Sequence, residues 1–316
     1  MVVDDPPRTA GDRAFEAGLD ALEAPALPPR PGPGTVFVRS LLPPIAAVAA
    51  FVGLWQLAYS AGFKPSYALP SPLDVLQTFG DTVHDGRAWD AISISVSRGA
   101  LGFLASLAVG TVLGLAMWKS RWLRAALGPF VSGLQSLPSV AWVPAAIIWF
   151  GLSDAAIYAV VLLGAVPSIA NGLLAGFDQV PPLLDKVGRV LGLGTVGRIR
   201  HVLLPAALPG YLAGLKQGWA FSWRSLMAAE LIAYSPALGI GLGQLLNIGR
   251  ELNAMDLVIA SILLILVVGI AIELLVFAPL ERRVLRARGL THRRPLMLKA
   301  AGSAHQGQGR PPRRSG

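Results

Sequence analysis

The sequence predicts an all-α fold that crosses a membrane several times, and three observations support this prediction. Hydrophobic residues make up 53% of the chain and charged residues only 14%, which is outside the range of soluble domains. Apolar runs recur at the length of about 20 residues that a helix needs to cross a hydrocarbon core about 30 Å thick. Lys and Arg collect in alternate loops between these runs. We therefore predict a polytopic membrane protein with six transmembrane helices.

Polar breaks separate the six predicted spans. The spans cover residues 40–60, 92–118, 128–150, 155–176, 206–233 and 257–279. Pro138 and Pro144 interrupt the third span and Pro167 the fourth. Proline removes a helical hydrogen bond, but neighbouring helices of a bundle satisfy the freed carbonyl groups. We expect kinks at these prolines, with a role in gating as the alternative.

The segments outside the core complete the predicted organisation. Residues 1–39 are rich in Pro, Gly and acidic residues and lack the basic and apolar regions of a signal peptide, so we expect a disordered cytoplasmic N-terminal tail. We further predict a first transmembrane helix over 40–64, an external loop with a short helix over 65–90, a membrane core over 91–280 and a basic cytoplasmic C-terminal tail over 281–316.

Loop charge predicts the orientation, because Lys and Arg are retained on the cytoplasmic side. The basic residues follow the second, fourth and sixth spans: Lys119, Arg121, Arg124, Lys186, Arg189, Arg198, Arg200, Arg282, Arg283, Arg286 and Arg288. Both termini are therefore expected in the cytoplasm. The net charge of +9 does not indicate nucleic acid as a partner, because its residues flank apolar spans instead of forming a soluble basic face. The expected surroundings are a lipid bilayer.

The loop at residues 182–205 is too polar for the membrane and too apolar for a solvated linker. Residues 182–191 are expected to form a short helix, followed by a tight turn at Gly192 and Gly194. Residues 195–204 are expected to form a second helix that stops before Pro205. The apolar side chains of this loop require a partner surface.

This loop resembles the coupling loop of binding-protein-dependent ABC importer permeases. The family pattern runs Glu-Ala-Ala, three residues, Gly, nine residues, Ile-x-Leu-Pro. Gly192, Val202, Leu204 and Pro205 occupy its last four fixed positions at the family's spacing. The resemblance implies that the coupling loop, residues 182–205, docks a cytoplasmic ATPase.

At the start of the pattern the chain departs from the family, because Lys186, Val187 and Gly188 occupy the Glu-Ala-Ala positions. The resemblance otherwise extends over about residues 65–285. Four segments look like the nitrate, taurine and aliphatic sulfonate branch: LPSPLDVL at 69–76, LPSVAWVPAAIIWFG at 137–151, LMAAELI at 226–232 and LGIGLGQLL at 238–246.

The resemblance implies a type I ABC importer permease in a bacterial cytoplasmic (inner) membrane. Its implied partners are a second permease copy, two cytoplasmic ATPase subunits and an external or periplasmic substrate-binding protein. A homodimer is the first expectation and a heterodimer the alternative. The substrate stays open among sulfonate, taurine, nitrate, sulfate and a neutral heterocycle, because selection in such systems rests largely with the binding protein.

The chain itself is not expected to be an enzyme. It contains no GxxxxGK[ST] phosphate loop, and GLGTVG at 192–197 follows a basic amphipathic segment instead of the strand that a dinucleotide site requires. We expect no cofactor on this chain, with ATP and Mg²⁺ bound by the partner ATPase. The four His residues are isolated and lack metal-ligand spacing.

Ionisable residues inside a predicted span are costly and are therefore candidates for function. Lys216, Arg224 and Glu230 in the fifth span are our candidates for the translocation path. Lys216 and Glu230 share a helix face with Trp223, whereas Arg224 lies about 100° away. A guanidinium binds oxyanions in bidentate fashion, so Arg224 is expected to contact an anion or to form an interhelical ion pair. Lys216 is expected to extend towards the cytoplasm, and Glu273 to pair with a neighbouring helix.

The predicted function is the permease subunit of an ATP-driven importer for a small anion. The alternative is a stand-alone secondary transporter or channel for small anions, which an internal repeat of the spans would favour. No such repeat is visible. A membrane enzyme is least favoured, because it requires clustered His, Asp or Glu residues.

Overall fold

A computed structural model of the chain describes residues 33–233 and 238–287. All regular structure in these ranges is helical, which confirms the predicted all-α fold. The first helices are α1 (Pro33–Ser60), α2 (Pro72–His84), α3 (Arg87–Lys119), α4 (Arg121–Ser136), α5 (Val143–Phe150) and α6 (Asp154–Asp178). They are followed by α7 (Pro182–Val190), α8 (Thr195–Arg198), α9 (Leu204–Ile232), α10 (Leu242–Glu251), α11 (Met255–Ile272) and α12 (Ala278–Ala287).

Two π turns join helices without interrupting their course. Ile199–Leu203 connects α8 to α9, and Glu273–Phe277 connects α11 to α12. The residues that flank each π turn keep right-handed helical dihedral angles. Residues 195–232 and 255–287 are therefore two long continuous helical stretches.

Helix α1 belongs to a unit that ends at Phe63 and is distinct from the unit that begins at Lys64. It begins at Pro33, and not at residue 40 as predicted. Proline fits the first turn of a helix because its missing N–H would have no helical partner there. The remainder of the predicted N-terminal tail, residues 1–32, lies outside the described residues.

The predicted C-terminal tail is described only at its start. Residues 281–287 belong to α12 and are helical. Residues 288–316 lie outside the described part of the chain.

Within the described ranges, four stretches are long and apolar enough to cross a membrane: Leu42–Ser60, Arg87–Lys119, Asp154–Asp178 and Met255–Arg286. A fifth exists if α4 and the following stretch Ser139–Phe150 are counted together, although they meet at a bend of 101°. Helix α9 has 29 residues, but Lys216, Arg224 and Glu230 lower its hydropathy. The multi-pass character is confirmed, whereas the count of six spans is not.

The third predicted span, residues 128–150, is wrong as a single helix. Proline disfavours the helical conformation of the residue before it, and Leu137 before Pro138 is extended, with φ −76° and ψ 133°. A 3₁₀ turn follows at Ser139–Trp142 before α5 begins. Pro144 occupies the first turn of α5, where proline is tolerated, and α6 continues through Pro167.

Helices α6 and α9 make the most extensive helix–helix contact in the described structure. Their backbones touch through two glycine pairs. A Cβ atom at Gly172 would lie 2.3 Å from Gly214 Cα, and one at Gly210 would lie 2.7 Å from Gly176 Cα. Each helix thus presents glycines four residues apart, the spacing that permits close helix packing inside a membrane. This contact fixes the relative positions of the polar residues on α6 and α9.

Candidate functional site

The coupling loop folds as two short helices joined at a glycine turn. After α7 ends at Val190, Gly192 adopts a φ of +71°, and α8 begins at Thr195. The N–H of Leu193 donates to the carbonyl of Gly188 at 3.1 Å and closes the turn. A left-handed φ favours glycine, so the turn lies where the sequence predicts it.

The second helix does not stop before Pro205, and that prediction is wrong. The π turn Ile199–Leu203, which contains Val202, leads directly into α9. Leu204 and Pro205 form the first turn of α9. A π turn widens the helical repeat, so the missing N–H of Pro205 falls where the regular bonding pattern is already interrupted.

Asp185 connects the two short helices. Its carboxylate accepts a hydrogen bond from Arg189 one turn later and lies 3.6 Å from Nη1 of Arg198 on α8. The Arg189 hydrogen bond, with the nearby guanidinium charges, holds the pKa of Asp185 below its usual value. Gly188 is buried, and a Cβ there would lie 3.1 Å from the Arg198 side chain. The small residue at position 188 therefore lets Arg198 reach Asp185.

The coupling loop leaves apolar side chains exposed. These are Leu183, Val187, Val190, Leu191 and Val196, with exposed fractions between 43% and 87%. Lys186 is also exposed. These residues form the coupling surface, and its exposed apolar area is expected of a surface that a protein partner covers.

A buried ion pair joins α3 to α9. Arg98 is 5% exposed and Glu230 is fully buried, and Nη1 of Arg98 donates to Oε1 of Glu230 at 3.2 Å. Nε of Arg98 donates to the half-exposed carboxylate of Asp154 at 2.8 Å, and Nη2 donates to the carbonyl of Leu238. One guanidinium thus connects the N-terminal part of α3, the start of α6, the end of α9 and the loop before α10.

Glu230 also holds the segment that leads into α10. Its Oε2 accepts hydrogen bonds from Ser95 Oγ at 2.7 Å and from the N–H of Gly243 at 3.1 Å. Ser95 Oγ in turn accepts from the N–H of Leu242 at 2.8 Å. A Cβ at Gly241 would lie within 2.6 Å of the Glu230 carboxylate, so only glycine fits there. The buried charge is therefore well satisfied, as a low-dielectric site requires.

Lys216 is paired with two carboxylates. Its Nζ lies 2.8 Å from Glu273 and 2.9 Å from Glu281. Glu273 belongs to the π turn between α11 and α12, so the expected partner of Glu273 on a neighbouring helix is confirmed. The pairs fasten the C-terminal helical stretch to α9.

Arg224 faces a cavity of about 240 Å³ that we call the Arg224 cavity. Gln135 and Ser139 contribute polar groups to its lining, together with Gly164 and Phe221. Nε of Arg224 donates to the carbonyl of its own helix at residue 220, and the guanidinium lies 4.8 Å from the centre of the Phe221 ring. Within the described part of the chain, the terminal nitrogens of Arg224 make no hydrogen bond or ion pair.

The family model described as "Binding-protein-dependent transport system inner membrane component" matches residues 106–286, more than half of the chain. The chain belongs to this family. The matched region contains the coupling loop, Lys216, Arg224 and Glu230. This inner membrane component is thus the permease of an ABC importer, a transport component and not a catalytic subunit.

Individual relatives agree with this assignment. The permease is 30% identical over 240 residues to the putative aliphatic sulfonates transport permease protein SsuC of Bacillus subtilis (strain 168), covering 76% of this chain and 85% of the relative. It is 29% identical over 245 residues to the taurine transport system permease protein TauC of Escherichia coli (strain K12), covering 76% and 87%. It is 30% identical over 258 residues to the bicarbonate transport system permease protein CmpB of Synechococcus elongatus (strain ATCC 33912 / PCC 7942 / FACHB-805), covering 78% and 90%.

A solved structure supports the fold. The permease matches the "Crystal structure of an amino acid ABC transporter with histidines" with a TM-score of 0.53 and 16% identity, over 65% of this chain and 98% of that chain. The family match and the named relatives favour the importer permease over a stand-alone transporter or channel.

The structure brings together residues that the sequence prediction left out. Ser95 and Arg98 lie inside the predicted second span, and the charge of Arg98 in an apolar run is the signal from which a buried partner could have been predicted. Asp154, which lies between the predicted third and fourth spans, also binds Arg98. Among the described residues of the permease, no group of three or more His, Cys, Asp or Glu side chains is placed to hold a metal ion.

The Arg98 and Glu230 pair generates a stability prediction. Glu230→Ala leaves a buried guanidinium without its buried partner, and we expect it to lower the free energy of unfolding of the permease by about 3–5 kcal/mol. Asp154→Asn is the matched control, because it removes a half-exposed partner of the same guanidinium and is expected to cost less than about 1 kcal/mol. Equilibrium unfolding in mixed detergent micelles measures both. Equal losses for the two variants would contradict the account.

Proposed function

We propose that this permease carries a small oxyanion across a bacterial inner membrane along a path that Arg224 lines. The observation that carries the proposal is the free end of the Arg224 guanidinium, which faces the Arg224 cavity without an acidic partner among the described residues. An unpaired cation in a membrane helix is costly, so its presence there favours a role in binding.

The chemistry of the cavity agrees with an oxyanion. Arg224 offers two terminal nitrogens at the spacing of two carboxylate, sulfonate or nitrate oxygens. Gln135 and Ser139 add neutral polar groups to the same cavity lining as the Arg224 guanidinium. The relatives are named for aliphatic sulfonates, taurine and bicarbonate, and each of these carries an anionic group of two or three oxygens.

Of the three candidates for the path, we assign substrate contact to Arg224 alone. Glu230 is fully buried among its donors, and Lys216 is held by Glu273 and Glu281. Both side chains are saturated by partners within the bundle. We assign them to holding α9 in place.

We propose that ATP is hydrolysed by separate cytoplasmic ATPase subunits that cover the coupling surface. The loop charges favour a cytoplasmic position for this surface and for both termini. ATP and Mg²⁺ would be bound by those subunits, and this chain would hold no cofactor. A second permease copy, with a homodimer as first expectation, and an external substrate-binding protein complete the proposed assembly.

The long helical stretch 195–232 connects the coupling loop to the proposed anion path. It runs for about 55 Å at the helical rise, from the coupling loop through Arg224 to Glu230. Closure of the ATPase subunits would move the coupling loop, and a continuous helix would carry that movement to the anion path. Alternating access would follow from rocking of two such bundles.

Arg224→Gln tests the proposed path. We expect uptake to fall about tenfold to a hundredfold, because a hydrogen bond to a charged group contributes about 1.5–3 kcal/mol. Arg224→Lys keeps the charge without the bidentate fork and is expected to fall in between. Arg87→Gln is the control, because Arg87 pairs with Asp85 on an exposed surface. The assay is uptake of labelled taurine, methanesulfonate, nitrate and bicarbonate by proteoliposomes with the complete importer. Unchanged uptake by Arg224→Gln would contradict the path.

Substitutions at two glycines of the coupling loop test whether ATPase docking depends on the backbone conformation of the turn. Gly192 has a φ of +71°, whereas Gly194 has a φ of −63° with open space around it. We expect Gly192→Val to strain the turn and abolish co-purification of the ATPase, because a β-branched residue is disfavoured at a positive φ. Gly194→Val should leave the complex intact. Retention of the ATPase by both variants would speak against docking at this loop.

A further inference from the structure

Two cavities border α4 and α6 at successive levels. The first is the Arg224 cavity, with Gln135 of α4 and Gly164 of α6 in its lining. The second, which we call the inner cavity, has a volume of about 310 Å³. Its lining includes Arg124 and Ser132 of α4 and Asn171 and Asp178 of α6.

One face of α6 runs along both cavities. Its residues are spaced four, three, four and three apart, which places them in one row on a helix: Gly164, Ser168, Asn171, Ala175 and Asp178. The row contains only small or polar residues, whereas the buried remainder of α6 is largely apolar. It leads from the level of Arg224 to the end of α6 that precedes the coupling loop.

A side-chain bridge connects the linings of the two cavities. Nε2 of Gln135 donates to Ser168 Oγ at 2.9 Å, and Oε1 of Gln135 accepts from Nδ2 of Asn171 at 3.0 Å. Gln135 lines the Arg224 cavity and Asn171 lines the inner cavity. The amide bridge, formed by Gln135, Ser168 and Asn171, therefore links a residue of one lining to a residue of the other.

The charges around the bridge suit an anion. Asp178 is the one carboxylate among the described residues that line the two cavities, and Arg124 neutralises it through two bonds of 3.0 and 2.5 Å. Arg224 is left as the unpaired charge of these linings. Between the charged ends, the amide bridge offers N–H donors without a net charge that would trap an ion.

We propose that the amide bridge is the selectivity step at which the anion passes from the Arg224 cavity to the inner cavity. In the structure the bridge is closed, because Gln135 donates to Ser168 Oγ and accepts from Asn171 Nδ2. When the Gln135 and Asn171 amides separate, their N–H groups donate to the anion, so each neutral hydrogen bond that is lost is replaced by a charge-assisted one. The inference rests on the proposed function, since it assigns the next residues along the same path.

The test replaces an amide by a carboxylate of the same shape. Gln135→Glu places a negative charge in the path, and we expect anion uptake by proteoliposomes with the complete importer to fall about tenfold or more at about pH 7.5. The matched control is Gln77→Glu, because Gln77 is exposed on α2. It makes the same chemical change away from both cavities and should leave uptake unchanged.

A pH profile distinguishes selectivity from structural damage. As the pH on both sides is lowered below the usual carboxyl pKa of about 4.3, protonation of the new carboxyl should restore uptake of taurine, methanesulfonate or nitrate by Gln135→Glu relative to wild type at the same pH. Arg224 on α9, Arg124 on α4 and Asp178 on α6 are the charged groups around the bridge, and they are unchanged in both proteins. A misfolded variant would show no such recovery. Asn171→Asp makes the same test from α6 if Gln135→Glu does not fold.

The outcomes separate this inference from the proposed function. Wild-type uptake of one of the four labelled anions, together with a loss in the carboxylate variants that low pH reverses, supports the amide bridge. If wild type transports and a folded Gln135→Glu or Asn171→Asp transports equally well at neutral pH, the amide bridge is overturned and the proposed function stands. If the complete wild-type importer transports none of these anions, both are overturned.

Discussion

The close approach of α6 and α9 is the constraint on which the other features of the permease depend. Lipid tails are as apolar as leucine side chains, so burial of apolar surface does little to bring two membrane helices together. Gly172 and Gly214 instead let the two backbones touch, with Gly176 and Gly210 repeating the contact one turn away. Arg224 on α9 and the polar row of α6 are thereby held at fixed levels, and the two cavities form beside them.

The second constraint is the buried pairing at the end of α9. Glu230 is held by Arg98, Ser95 and the N–H of Gly243, so the end of α9 is fastened to α3 and to the segment before α10. The coupling loop begins the same continuous helical stretch at its other end. A partner that moves the coupling loop would act on a helical stretch whose other end is held by the hydrogen bonds of Glu230. Movement is then expected where α9 carries Arg224 and its free guanidinium.

The sequence predicts the features that depend on composition and local conformation. Apolar length predicts the helical stretches of α3, α6 and α11, and glycine chemistry predicts the turn at Gly192. Local rules also explain two errors. Pro138 breaks the third span because it disfavours the helical conformation of Leu137. Pro205, in contrast, follows a π turn that lets the helix continue, and the residue pattern does not predict this π turn.

The sequence does not show which residues that are distant along the chain pair with each other. Arg98 and Glu230 are 132 positions apart, and the Gln135 and Asn171 amides lie on different helices. The charge of Arg98 is visible in an apolar run, but its partner depends on how α3 and α9 pack. In the same way, Lys216 is expected to extend towards the cytoplasm, and the fold places its ammonium near the carboxylates of Glu273 and Glu281.

The most direct test of the account compares the purified permease alone with the complete importer in proteoliposomes. The labelled anions are offered with an ion gradient, with internal ATP, or with both. The account predicts uptake only by the complete importer and only with ATP, because the permease supplies the path and the ATPase subunits supply the energy. Gradient-driven uptake by the permease alone would contradict it and would favour a stand-alone transporter.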